Sequence, residues 1–182
     1  MAAETGKKLN TETIENLQSG NSELVNDTLD NLSEAGNSAY IPLLIELLHS
    51  TQNNEIKKRV AKLLAELKHS DAIPMIVDAI KNQTYEDELQ YLVSACWENG
   101  LDFSDHLSLF IDLMIEQDFM IAFESHTVIT NMTGKISSAI REQETRKIEA
   151  ALNDVGDEKR DLLLEIIEFL PLLEAGIEPH SY

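Results

Sequence analysis

A chain of 182 residues carrying 33 acidic and 14 basic side chains, for a formal net charge of −19, can fold as one domain with a sizeable core or as a short array of repeated units. That charge argues against nucleic acid, whose phosphates are bound by Lys and Arg displacing counterions, and against anionic membrane surfaces. No apolar run of about 18 residues is present to span a bilayer. Residues 1–10 carry Lys7 and Lys8 without the apolar core of a signal peptide, and a single cysteine, Cys96, excludes an internal disulfide and fits a reducing compartment. The expected location is cytoplasmic.

In chain order, residues 1–9 read as a polar disordered tail. Ile14 and Leu17 place a short helix over 11–19. Val25, Leu29 and Leu32, spaced by four and three, place a second over 22–35. A helix over 38–49 carries Pro42 in its first turn, where the missing amide proton costs little. Its companion over 53–68 sets Ile56, Val60, Leu63, Leu64 and Leu67 on one face. The segment 71–81 repeats the first pattern, with Pro74 again in the first turn: Leu44, Ile45 and Leu48 return 32 residues later as Ile76, Val77 and Ile80. Thr84 to Asp87 reads as a capping box opening a helix to Asn99 whose inner face is Leu89, Leu92, Val93 and Cys96, with Trp97 a further candidate for it.

The short-helix pattern returns a third time over 104–116, where Leu107, Phe110, Ile111 and Met114 match Ile73, Ile76, Val77 and Ile80 at a spacing of 34. Helices over 118–132 and 135–152 follow, the latter carrying Ile136, Ile140, Ile148 and Leu152. The last begins at Asp157 and closes before Pro171. Six of the seven glycines, Gly20, Gly36, Gly100, Gly134, Gly156 and Gly176, fall where apolar periodicity breaks and mark helix ends. The expectation is an all-α chain of about five helical hairpins over residues 10–173, with a polar tail over 174–182.

Residues 41–48, a polar turn and residues 54–67 resemble the HEAT repeat, in which a proline-bearing first helix is followed by an Asp or Asn turn and a second helix opening on a branched apolar and a basic residue, here Ile56 and Lys57. The resemblance is closest over 38–81 and fades beyond 117. It implies an armadillo-like α-solenoid, stacked because one hairpin has more apolar face than it can bury alone. It also implies that second helices line a concave surface that binds partners. Carried over residue by residue, that surface is Lys58, Arg59, Lys62 and Glu66, then Gln90, Tyr91, Ser94 and Glu98, with Trp97 and Phe123 alongside.

Charge steps along these helices, from net plus 3 over residues 51–70 to net minus 10 over residues 71–118. An ordinary solvated face is the default reading, and a partner that reads the step is the alternative. Between Phe119 and Gly134 only Glu124 is charged, and apolar residues surround the helix axis. The expectation is that both sides are buried, under the 135–152 helix, the alternative being an apolar patch on the groove. His126 is expected to be a hydrogen-bonded structural residue.

Catalytic and metal readings do poorly. The five histidines, His49, His69, His106, His126 and His180, show neither a pair at i, i+4 nor an adjacent His-Glu. The His-Glu dipeptides of iron hydroxylases built on HEAT-like pairs and the basic groove of HEAT-like DNA glycosylases are therefore missing. Cys96 sits in an apolar stripe, where a thiol is inert packing. Glu86, Asp87 and Glu88 read as a solvated helix start rather than an acid-base pair. The leading expectation is a non-enzymatic scaffold without cofactor or metal that binds a protein or peptide, monomeric, with a homodimer through the Phe123 helix as a further possibility. The alternative is a HEAT-like enzyme or accessory of the bilin-lyase type, with a small-molecule pocket near Trp97, Tyr91 and Phe123.

Overall fold

The three copies of the short-helix pattern share a start. A computed structural model describes residues 10–35 and 38–176, apart from the side chains of 33–35. In it each copy opens on a single 3-10 turn beginning at a serine: Ser38–Tyr40, Ser70–Ala72 and Ser104–His106. Each turn leads straight into an α-helix. Leu44, Ile45, Leu48, Ile76, Val77, Ile80, Phe110, Ile111 and Met114 are all buried, none more than 6% exposed, so the spacings of 32 and 34 seen in the sequence are spacings of core positions. The predicted 1–9 tail, Gly36, His180 and most of the predicted 174–182 tail lie outside the described residues.

Among the described residues the fold is all-helical, with ten α-helices, and its contacts divide it into two units, one through Glu88 and one from Leu89. The first unit holds α1 (Thr11–Leu17), α2 (Ser22–Ala35), α3 (Ile41–Ser50), α4 (Asn54–Ala65) and α5 (Ile73–Ile80). Here α1 packs on α2, α2 on α4, α3 on α4, and α3 on α5. Polar side chains hold the starts: Asn10 Oδ1 accepts from Glu12 N–H at 3.0 Å and Asn53 Oδ1 from Glu55 N–H at 2.9 Å. Pro42 and Pro74 sit in the first turns of α3 and α5. Ser38 Oγ donates to Asp71 Oδ2 at 2.6 Å, tying the opening of one copy to that of the next.

The second unit holds α6 (Leu89–Glu98), α7 (Leu107–Glu116), α8 (Phe119–Thr130), α9 (Ser138–Ala151) and α10 (Asp157–Ala175). Helix α8 packs against α6, α7 and α10, and α9 against α7 and α10. Asp118 Oδ1 accepts from Ile121 N–H at 3.0 Å and Ser137 Oγ from Ile140 N–H at 3.2 Å, which starts α9 three residues later than the sequence suggests. Lys159 Nζ donates to the Ile115 and Gln117 carbonyl oxygens at 2.7 and 2.6 Å, closing the free end of α7. Burial lowers the Lys159 ammonium below its ordinary range, and nearby Asp118 pulls it part of the way back.

Three expectations are corrected. The helix before Pro171 does not stop there: α10 runs on to Ala175 and ends at Gly176, whose φ of 71° is the left-handed cap. Pro171 removes one amide proton, but Leu170 and Leu173 on either side are 0% and 2% exposed, and their burial carries the helix past it. Residues 84–87 are no capping box. They belong to a 3-10 segment, Gln83–Glu88, in which Asn82 Oδ1 accepts from Thr84 N–H at 3.0 Å. Ile140 is not a core position of α9, being 43% exposed; the buried positions there are Glu144 and Ile148.

Gly134 marks a close approach. A Cβ at this position would lie 2.6 Å from Asp102 Oδ2 and 2.7 Å from Ser104 Cβ. Those same side chains accept from the Thr133 and Gly134 amides at 3.2 and 2.9 Å. Gly134→Ala must push both away, so it is expected to lower stability by about 1–3 kcal/mol, read as a shift of the urea midpoint.

Candidate protein-binding surface

The expectation that α8 is buried on both sides fails. Its buried residues are Ile121, Ala122, Ser125, Val128 and Ile129, which meet its neighbours in the second unit. Phe119, Met120 and Phe123 face outward at 38%, 48% and 48% exposure. Phe123 follows Phe119 by four residues and Met120 by three, which puts both beside it on one face of the helix. The Phe119 and Phe123 rings lie against each other, their centroids 6.3 Å apart.

Trp97 joins this face from α6. Its indole Nε1 donates to Glu124 Oε2 at 2.7 Å, and the ring is 37% exposed. Glu124 stands one turn beyond Met120 and next to Phe123, so the indole lies along the edge of the α8 face. A Trp held by its N–H with its ring open to water is an amphipathic contact group on a fixed mount.

The remaining candidates on α6 are less open. Gln90 and Glu98 are exposed, whereas Tyr91 and Ser94 are half-buried and the Ser94 hydroxyl donates to the Tyr91 carbonyl oxygen at 3.2 Å. Lys58, Arg59, Lys62 and Glu66 belong to α4 in the first unit. Lys58 and Lys62 are exposed, and Lys62 pairs with Glu66 at 3.7 Å. Arg59 turns to α2, donating to Asn26 Oδ1 at 2.8 Å and pairing with Asp30. That engagement leaves Arg59 less free for a partner than its place on the helix suggests.

Two buried carboxylates escaped the sequence reading. Glu88, read as part of a solvated helix start, is only 2% exposed. Its Oε1 accepts from Lys57 Nζ at 3.1 Å and its Oε2 lies 2.8 Å from His49 Nδ1, so one acid ties the turn after α5 to α3 and α4. With both oxygens taken, it is a structural tie rather than a base. Glu144 is 1% exposed and pairs with Lys147 at 2.9 Å. His126, expected to be hydrogen-bonded, has its Nε2 2.9 Å from Glu165 Oε2 without hydrogen-bond geometry. Phe119, Met120 and Glu124 are the three surface residues outside the predicted set; the unusual apolarity of α8 on every side was the signal for the first two, and Glu124 as its one acid was the signal for the third.

Cys96 is 1% exposed, and burial pushes its thiol far above the ordinary range. The prediction is that the folded protein does not react with an aromatic disulfide reagent, and that one thiol per chain appears only on unfolding in guanidinium. Prompt native reaction, followed by absorbance, would show a thiol open to solvent. Among the described residues no group of three His, Cys, Asp or Glu could hold a metal ion, and no helix is long and apolar enough to cross a membrane.

No protein-family model matches the sequence, and no characterised protein matches it as a relative. The residues of this surface are therefore read on their own chemistry.

Proposed function

We propose that the chain is a non-enzymatic protein-binding module, a HEAT-like array of helical hairpins forming an α-solenoid, whose partner docks on the outer face of α6 and α8. The observation that carries this reading is the open apolar face of Phe119, Met120 and Phe123, with Trp97 beside it, on helices whose other faces are packed. Large apolar side chains held open side by side mark interaction sites, and aromatic anchors supply much of the energy at such sites. The HEAT-like reading draws its support from the repeated triplets at 44/45/48, 76/77/80 and 110/111/114, all of them core.

The test is affinity capture from native lysate with the wild-type chain, Phe123→Ser and Trp97→Ala, each variant first checked for an unchanged helical circular dichroism spectrum. A protein retained by the wild type is expected to fall about tenfold or more with either variant. Equal recovery by all three would remove the α6–α8 face as the binding surface.

A further inference from the structure

We infer that the occupant of the α6–α8 face is the apolar side of a basic amphipathic helix on a partner protein, an inference that rests on the protein-binding reading above. Three observations lead there. The first is size. Taking about 200 Å² for a fully exposed large side chain, the exposures of Trp97, Phe119, Met120 and Phe123 leave roughly 350 Å² of apolar surface. A standard interface buries about 800 Å² from each partner, of which about 450 Å² is apolar, so this face falls short of it and suits a single short element better than a second copy of the chain.

The second is charge. No Lys or Arg occurs between Lys81 and Lys135, a stretch that covers α6, α7 and α8 entirely. Glu124 accepts from Trp97 and Glu98 follows Trp97 at the end of α6, and among the described residues neither carboxylate has a cationic partner. Of the cations on neighbouring helices, Lys147 is taken by Asp112 and Glu144, and Lys159 by the end of α7. A second copy would bring the same carboxylates to the contact, whereas Lys and Arg beside an apolar stripe would complement them.

The third is the backbone. The face is built from two helices whose main-chain groups bond within themselves, and no strand edge exists among the described residues. A partner segment laid over apolar side chains here must satisfy its own amides and carbonyls, which a helix does and an extended strand does not. Residues spaced by three and four on that helix would meet the ridge formed by Phe119, Met120 and Phe123.

Trp97 is the only tryptophan in the chain, so its emission reports on this face alone. The experiment titrates the full chain with three tryptophan-free peptides: a Leu/Lys sequence patterned as an amphipathic helix, its Leu/Glu counterpart, and a scrambled Leu/Lys sequence without the pattern. The patterned Leu/Lys peptide is expected to shift the emission to the blue, to bind about tenfold or more tighter than the other two, and to weaken as salt is raised. Phe123→Ser, at unchanged charge, and the double variant Glu98→Gln with Glu124→Gln should each weaken it severalfold. Neutralising Glu23 and Asp27 on α2 should leave it unchanged.

Equal binding of the scrambled peptide, or equal weakening by the α2 variant, would reduce the effect to general attraction to an acidic protein and overturn the inference. A dimer in light scattering that Phe123→Ser dissolves would also overturn it, by giving the face to a second copy. If lysate partners depend on Phe123 while the patterned Leu/Lys peptide has no advantage, the basic-helix inference falls and the protein-binding reading stands. If partners and peptides alike ignore Phe123, both fall.

Discussion

Leu64→Ala is expected to lower the stability of the first unit by about 2–5 kcal/mol. Leu64 sits in the last turn of α4 at 0% exposure, on the buried side of a helix that packs against both α2 and α3. Truncation removes three carbons from a site enclosed on two sides by helices, so transfer energy is lost and a cavity remains. With a urea dependence of about 1–3 kcal/mol per molar, the midpoint should fall by roughly 1–2 M. Leu64→Met, which nearly conserves volume, should cost under about 1.5 kcal/mol. If the two units melt separately, only the transition of the first should move. A midpoint that stays put would place Leu64 outside the core and undo the assignment of α4's inner face.

What the sequence made legible was whatever depends on neighbours three and four residues away. The triplets Leu44, Ile45, Leu48 and Ile76, Val77, Ile80 are core because helical periodicity alone forces them onto one face, and some neighbour must cover that face. The starts of α1, α4 and α8, expected at 11, 53 and 118, fall beside the caps Asn10, Asn53 and Asp118, because a cap acts within one turn. The open face of α8 was readable only in part: Trp97 and Phe123 were named, but the expectation was a helix buried on both sides. Phe123 is as apolar as Val128, and only the placement of α6, α7 and α10 around α8 decides that Val128 is covered while Phe123 is not. Apolar residues on every side of a helix say that two contacts exist, without saying whether the second is made within the chain. Glu88 was hidden in another way. Its partners His49 and Lys57 lie 39 and 31 residues upstream, and a run of three acids reads as solvated until those side chains are placed beside the third. Pro171 misled because a local rule about a lost amide was outweighed by buried Leu170 and Leu173.

Lys147→Met should destabilise the second unit by about 3–5 kcal/mol, because it strands a buried carboxylate without its cation. The Lys147 ammonium lies 2.9 Å from Glu144 Oε2, 2.7 Å from Asp112 Oδ1 and 2.6 Å from Ser108 Oγ, joining α9 to α7. Asp112 is half open to water and can be rehydrated when the lysine goes. Glu144, at 1% exposure, cannot; it keeps only the Gln143 amide at 3.2 Å. The companion change Lys147→Met with Glu144→Met removes both charges of the pair, and much of the loss should be regained if the uncompensated carboxylate is its cause. The pH dependence has a definite sign. Burial by itself lowers the Lys147 ammonium, but its hydrogen bonds to Asp112 and Glu144 more than offset that and hold the group above its ordinary range. A lysine raised on folding contributes stability that is fully present below its unfolded value of about 10.4 and lost as pH climbs through the higher folded value. On the alkaline side, the gap between wild type and Lys147→Met in thermal melts should therefore hold from neutral pH upward and narrow only in strong alkali, while in acid it should also shrink as the stranded Glu144 carboxylate takes up a proton. A gap that closes between neutral pH and the ordinary lysine range would mean that the Lys147 charge is not what holds α9 on α7.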